Sequence, residues 1–359
     1  MLRDIDIYCE LDFIKSFLES CPPPAHSFER EANKRMHNWD NIYDLLNDKV
    51  NLHVKARIDE LYEEVQRETT TYPEQLQLML RKWQAYADGN QNRLCIDDYP
   101  DDLSDIGDNS THELNAIFMI EDPDGEKTEI LRKKGIFSLT NTFILESGIH
   151  PEVQSLRQGE KENWQFLKRK AKHPCNSLIL IDLYILQRKE DNLYVILDSL
   201  LPEKLDVTFQ VTICTKEPPE VKNDYQSFFK NLYDEIMKYL KEIRPDLAID
   251  LSIVRTLPNQ AHDRQILSNA IWINSPGGLD LFVNTTPKKN SKKHISTKTT
   301  DVYVRYPKFP DNEHMNKRET PFYSYNKYLD LAKNAIDSGS CKDENRSIFG
   351  SGENRLLED

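Results

Sequence analysis

Long apolar runs are missing from this 359-residue chain. No stretch of about 18 apolar residues occurs, which excludes a membrane-spanning helix. The most apolar segments, 116–120 and 178–186, are only strand-length. No apolar signal region opens the chain either. Cysteine is sparse and scattered, at positions 9, 21, 95, 175, 214 and 341. That spacing supplies neither a disulfide framework nor a cysteine zinc site. Cys9, Cys175 and Cys214 lie in or beside apolar segments, as reduced thiols of a cytoplasmic protein would. Glycine contributes only 11 residues, so collagen-like and low-complexity readings fail. No Gly-rich phosphate loop is present, which leaves ATP or NAD use without support. No internal repeat is visible.

Positive charge is also short. Forty-seven Lys and Arg face 60 Asp and Glu, a net charge of −13. Attraction of nucleic acid by bulk charge is therefore excluded. The excess is uneven: residues 1–150 hold 16 basic and 30 acidic side chains, a balance of −14. The remainder holds 31 and 30, a balance of +1.

The chain is too long for one ordinary core, and its patterning divides it. An alternating segment, 5–10, runs into a helix over 11–20 with Phe13, Ile14, Phe17 and Leu18 at helical spacing. Cys21-Pro22-Pro23-Pro24 stops it. Further helices are expected over 28–46, 56–66, 73–87 and 126–134, with strands over 51–54, 94–96, 114–120 and 136–139. In the second half, strands are expected over 178–186, 207–214, 248–254 and 270–274, and an amphipathic helix over 225–243. This alternation predicts an α/β protein of two Rossmann-like, three-layer domains with mostly parallel central sheets. The boundaries read as a domain over 1–146, a polar linker over 147–162, a domain over 163–335 and a disordered polar tail over 336–359.

Functional groups of an open α/β sheet gather at the carboxyl ends of its strands. Glu10 and Asp12 follow the first strand, and Asp59 and Glu60 open the helix after the second. Asp105 precedes the strand over 114–120, and Asp122 and Asp124 follow it. Converging carboxylates need a divalent cation such as Mg²⁺ or Mn²⁺, which can activate a water against a phosphodiester. The same acids equally suit helix N-termini, where the dipole favours them, and a solvated acidic loop. The order of strand, acid and helix in Ile7-Tyr8-Cys9-Glu10-Leu11-Asp12 resembles the PIN-domain family of metal-dependent ribonucleases. Here Glu10 stands for the family's first Asp and Leu11 for its Thr. The resemblance covers roughly residues 1–145. It implies a Mg²⁺ or Mn²⁺ endonuclease, acting on RNA before DNA. Glu10, Glu60, Asp105 and Asp122 would hold metal, and Asp12 and Asp124 would assist. His112, near the acidic loop, is a further candidate ligand or a structural histidine.

The second half carries Asp182 and Tyr184 at one strand end, Thr212, Thr215 and Lys216 at another, then His262-Asp263-Arg264 and Gly278-Leu279-Asp280. These pieces, in this order, resemble the phospholipase-D-like C-terminal domain of MIT-domain proteins and its bacterial relatives. Leu183 replaces the family's Pro. Active phospholipases D use His-x-Lys and a later Asp, with His attacking phosphorus. Here Arg264 stands for Lys and Asn269 for Asp, and one such motif is present where two are needed. The resemblance therefore implies a degenerate domain. It would bind a phosphate-bearing ligand through Asp182, Tyr184, Lys216, His262, Asp263 and Arg264, or pair with a partner or a second copy as a homodimer. The alternative is structural: His262 and Asp263 pin a loop and Arg264 pairs with Asp182. The fusion of two such domains implies an antiphage defence effector. A rival reading has no enzyme at all, only a phosphate- or protein-binding module. A basic run over 288–298 can guide an anionic partner or form a solvated loop.

Overall fold

The computed structural model describes residues 5–21, 30–47, 50–54, 78, 94–96, 99–107, 112–146, 152–157, 164–169, 173–221, 224–256, 264–276, 279, 299–306, 321–340 and 348–358. They divide into two compact units. The first takes residues up to 132 with 136–146 and 321–322. The second takes 133–135, 152–306 and those from 323 on. Both are α/β. Among the described residues, no helix is long and apolar enough to cross a membrane.

The first unit is built on β1 (Ile5–Cys9), β2 (Val50–Val54), β3 (Leu94–Ile96), β4 (Ile117–Met119) and β5 (Phe137–Leu139). All four neighbouring pairs are parallel, and the strand order is β3-β2-β1-β4-β5. The centre of the sheet is apolar on both faces, as a covered parallel sheet requires: Ile7, Cys9, Ile117, Phe118 and Met119 are buried. Helix α1 (Leu11–Glu19) buries Phe13, Ile14, Phe17 and Leu18, the predicted stripe. Helix α2 (Arg30–Asn47) stacks Trp39 on Phe17, and the Trp39 Nε1 donates to the Phe17 carbonyl at 2.9 Å. Helix α3 (Glu126–Lys133) follows β4, and α4 (Asn141–Glu146) follows β5. The expected strand over 114–120 is shorter, because 113–115 forms a 3-10 turn.

The second unit carries an eight-stranded sheet: β6 (Glu152–Arg157), β7 (Ser177–Ile181), β8 (Phe209–Thr215), β9 (Ile249–Arg255), β10 (Gln265–Ser268), β11 (Trp272–Asn274), β12 (Thr299–Arg305) and β13 (Ile348–Phe349). Their order is β13-β9-β8-β7-β10-β11-β12-β6. Only β7, β8 and β9 run parallel to one another; every other pairing is antiparallel. This sheet is mixed, not mostly parallel: only residues 269–271 join β10 to β11, too few for a crossover helix, so the two pair antiparallel. Every residue of β7 and β8 is buried. Helix α5 (Leu193–Leu200) lies between β7 and β8, where no helix was expected. Helix α6 (Tyr225–Ile243) is the predicted amphipathic one; it buries Phe229, Leu232, Ile236 and Leu240, and Asp224 caps it through the Ser227 amide at 3.1 Å. Helix α7 (Pro321–Ser340) follows β12.

Three boundaries differ from the sequence reading. The strand beginning near 178 stops at Ile181, since the Asp182 carboxylate turns back to accept from the Tyr184 amide at 2.7 Å. Residues 152–157, read as linker, form edge strand β6, whose one exposed face makes it look polar. The tail over 348–358 is not polar filler. Strand β13 pairs with β9, and Asn354, Arg355, Leu356 and Leu357 are buried. The Arg355 guanidinium donates to the Asn176 and Thr208 carbonyls at 2.7 and 2.9 Å, so a charged residue enters a core on backbone acceptors alone. Burial pushes that guanidinium down to about 10.

Candidate functional site

In the first unit, the strand order reverses direction between β1 and β4, the topological switch point of an open parallel sheet. Glu10 stands just past β1, and Glu121 and Asp122 just past β4. The Glu10 carboxylate is saturated. Its Oε1 and Oε2 take the Lys127 ammonium at 2.6 and 2.8 Å. Oε1 also accepts from the Tyr99 hydroxyl at 3.2 Å, and Oε2 from the Glu121 amide at 3.1 Å. Lys127 gives a further bond to the Glu121 carbonyl at 3.0 Å.

The other acids have separate tasks. Asp122 caps α3 through the amides of Lys127 and Thr128, at 3.2 and 2.7 Å. Burial works to raise its carboxyl, but the Thr128 and Lys127 hydrogen bonds outweigh it and hold the group below its ordinary value. Asp12 is exposed in the first turn of α1, Asp105 is exposed in a 3-10 turn, and Asp124 is exposed in the turn before α3. Asp59 and Glu60 lie outside the described residues. Among the described residues, no group of three or more His, Cys, Asp or Glu is placed to hold a metal ion. Glu10, Asp105 and Asp122 thus do not by themselves form the expected metal set.

A second charged cluster sits on the same strands. The Asp6 carboxylate lies 3.2 Å from His53 Nε2 and 3.0 Å from His112 Nε2, and it accepts from Asn51 at 3.0 Å. Burial works to raise Asp6, but the His112 and His53 hydrogen bonds outweigh it, so the carboxyl stays well below its ordinary value. Tyr8 stacks between His53 and Phe118. These contacts tie the segment before β4 to β1 and β2.

In the second unit, the carboxyl ends of β7, β8 and β9 lie side by side. The register pairs Ile181 with Cys214, and Thr215 with Arg255. The antiparallel strand β10 begins beside them, with Gln265 opposite Ile181. The edge therefore carries, across four strands, Arg264, Asp182, Thr215 and Arg255, followed by Lys216 and Glu217.

Asp182 is wholly buried, and its two oxygens accept from the amides of Tyr184 and Leu279, at 2.7 and 2.8 Å. It fixes two turns. The Leu279 carbonyl accepts from Trp164 Nε1 at 2.9 Å, so Trp164 is a structural anchor. Lys216 places its ammonium 4.3 Å above the Tyr184 ring, a cation–π contact. Arg264 donates to the Pro276 carbonyl at 3.1 Å. Among the described residues, neither Lys216 nor Arg264 forms an ion pair with a carboxylate, and the alternative pairing of Arg264 with Asp182 is not made. His262 and Asp263 lie outside the described residues. Asn269 is a framework residue: it takes the Asn176 amide at 3.0 Å and donates to the Gly135 carbonyl at 2.9 Å.

Two members of this edge, Arg255 and Glu217, escaped the sequence reading. Arg255 and Glu217 form a two-pronged ion pair with both contacts at 2.8 Å, and Arg255 lies 4.0 Å above the Tyr225 ring. The Arg255 hydrogen bond holds the Glu217 carboxyl below its ordinary value. Thr215 is fully buried, and among the described residues its hydroxyl has no hydrogen-bond partner. The signal was present in Thr215-Lys216-Glu217 and Arg255-Thr256, two polar clusters each ending an apolar strand. Only the β8–β9 pairing makes them one cluster.

No known protein family matches the chain, and no curated protein does. A solved structure of an archaeal chromatin protein, TrmBL2, described for a novel mode of DNA binding, matches at 10% identity with a TM-score of 0.22. That match covers 69% of this chain and 73% of the other. A likeness of this size carries no argument about fold or function.

Proposed function

We propose that the chain is a ligand-recognition protein whose second unit binds a phosphate-bearing anion at the carboxyl edge of β7 and β8. The supporting observation is an imbalance of hydrogen-bonding and charge. Among the described residues, Lys216 and Arg264 form no ion pair with a carboxylate, while both oxygens of Asp182 accept from backbone amides. A phosphate oxygen supplies what both cations lack, and Arg264 offers it a planar fork. Tyr184 holds Lys216 over its ring, and Asp182 positions Tyr184. His262 and Asp263 belong to the same segment as Arg264 and extend the proposal. Calorimetric titration with inorganic phosphate tests it. Wild type binds, and Lys216→Glu and Arg264→Glu each weaken binding roughly tenfold, the loss of one charge-assisted contact. Unchanged affinity in the double variant overturns the reading.

A second reading is metal-dependent cleavage of RNA or DNA at the first unit's switch point, with Mg²⁺ or Mn²⁺. The observation favouring it is that Glu10 and the segment leading to Asp122 meet there, through the Glu121 amide. A cleavage assay with Mn²⁺ decides it: activity lost in Glu10→Gln and Glu60→Gln supports it, and an inert wild type ends it. A defence role and homodimer formation stay attached to these proposals as their biological setting.

A further inference from the structure

The Arg255–Glu217 pair occupies the same edge as Thr215, yet the two observations conflict if the edge is complete as it stands. A buried hydroxyl without a partner costs about 1–3 kcal/mol. Among the described residues Thr215 is such a hydroxyl, and its register partner is Arg255. Adjacent strands lie about 4.8 Å apart, and residues in register share a face of a parallel sheet. A donor that needs an acceptor therefore stands one strand away from a guanidinium whose acceptor is an internal carboxylate.

The pair is built for exchange. Glu217 is carried by irregular backbone after β8, not by a helix or strand. Arg255 is the last residue of β9 and has a second contact, the Tyr225 ring 4.0 Å away, besides the carboxylate. Both side chains are about one-fifth exposed, at 19% each, so water reaches the contact. A two-pronged pair of this kind is among the stronger ion pairs, so a ligand that displaces it gives up part of its own binding energy. A phosphate fits the same guanidinium fork as a carboxylate, and carries an extra oxygen for a neighbouring hydroxyl.

We propose that Glu217 is an internal anion that holds Arg255 in place of the ligand, so that bound phosphate displaces it and takes both Arg255 and the Thr215 hydroxyl. The inference rests on the anion-binding reading of this edge and adds a built-in competitor to it. Lys216 and Arg264 draw the anion to the edge. Glu217 sets the threshold concentration at which it is admitted. Removing the competitor raises affinity; removing the receiver cancels the gain.

The test is titration of the full chain with inorganic phosphate. Wild type binds, Glu217→Gln binds roughly tenfold more tightly, and Glu217→Gln with Arg255→Gln returns to wild-type affinity or below. Thr215→Val, which keeps the shape and removes the hydroxyl, takes away most of the gain in the Glu217→Gln background. Melting curves of each variant establish that it is folded. Equal or weaker binding by folded Glu217→Gln overturns the inference while the binding reading stands. Absence of phosphate binding in wild type and Glu217→Gln alike overturns both. A pair that is only a clamp between β8 and β9 gives a third pattern, lower melting temperature with unchanged phosphate affinity, and that too overturns the inference.

Discussion

Asp182→Asn isolates the residue on which the second unit's edge is organised. The carboxylate is fully buried and takes one backbone amide on each oxygen, Tyr184 at 2.7 Å and Leu279 at 2.8 Å. Asparagine keeps the shape but replaces one acceptor with an NH₂ donor. One amide then faces a donor, and the other loses its charge-assisted bond. A hydrogen bond to a charged group contributes about 1.5–3 kcal/mol, and a buried unsatisfied amide costs about 1–3 kcal/mol. The variant should therefore lose about 3 kcal/mol, a large share of the 5–15 kcal/mol typical of a folded protein. Urea unfolding measures this, followed by the fluorescence of Trp164, whose indole donates to the Leu279 carbonyl, with Trp39, Trp83 and Trp272 replaced by Phe. Two units need not unfold together, so the transition seen by that tryptophan is the relevant one. Phosphate affinity should fall as well, since the turn at residue 279 no longer has a fixed end. A variant within about 0.5 kcal/mol of wild type would refute the argument, since surface substitutions reach that far without any network to break.

Gly350→Ala tests the docked tail: Gly350 has φ of 107°, and a Cβ there would collide with the Leu251 carbonyl oxygen. Left-handed backbone and the forced shift together cost about 3 kcal/mol, read as a lower melting temperature; an unchanged one contradicts the packing of β13 on β9. Asp6→Asn removes a carboxylate held low by its histidines, so its stabilisation is present above the unfolded value of 3.8 and is lost as pH falls through the lower folded value. The variant should be about 1–3 kcal/mol less stable at neutral pH and approach wild type in strong acid, measured by urea unfolding across pH. Lys127→Met strands the Glu10 carboxylate and should cost about 1 kcal/mol, less in high salt, because the lysine side chain is 41% exposed and screened. A loss independent of salt would count against the ion pair as its cause.

The first unit's parallel core was readable because its strands place apolar residues regularly, as Ile5, Ile7 and Cys9 do, and α1 carries a clear stripe of Phe13, Ile14, Phe17 and Leu18. Of the antiparallel flank of the second sheet, only β11 was, within the expected strand over 270–274. Strand β6 alternates exposed Val153 and Ser155 with buried Leu156, and an edge strand of that kind has the composition of a loop. Strand β12 does the same with exposed Asp301 and buried Val302 and Val304. The tail deceived for another reason. Arg355 and Asn354 are polar by type, but backbone carbonyls take the two terminal nitrogens of Arg355 and Thr212 takes the Asn354 amide inside the core, and composition records no partners. At the sites, Lys216, Arg264 and Asp182 were visible as polar residues ending apolar runs. Their roles were not. Asp122 reads as a ligand and acts as a helix cap, and Asp182 reads as a ligand and acts as a brace. A carboxylate's task depends on which donor reaches it first.

The two carboxyl edges solve opposite charge problems with the same device. At the first, an acid meets an internal cation: Lys127 sits in the first turn of α3, where the helix dipole disfavours it, and Glu10 compensates. At the second, a cation meets an internal acid, Glu217 on Arg255. Counting the described charges at the second edge, Lys216, Arg255 and Arg264 against Asp182 and Glu217, leaves one positive charge unopposed. Charges beyond roughly 8 Å are screened at physiological ionic strength. Whether an anion is held at an edge is therefore decided by the few side chains within reach of it. Net charge excluded attraction by the whole chain; it does not bear on an edge where Lys216, Arg255 and Arg264 stand against Asp182 and Glu217.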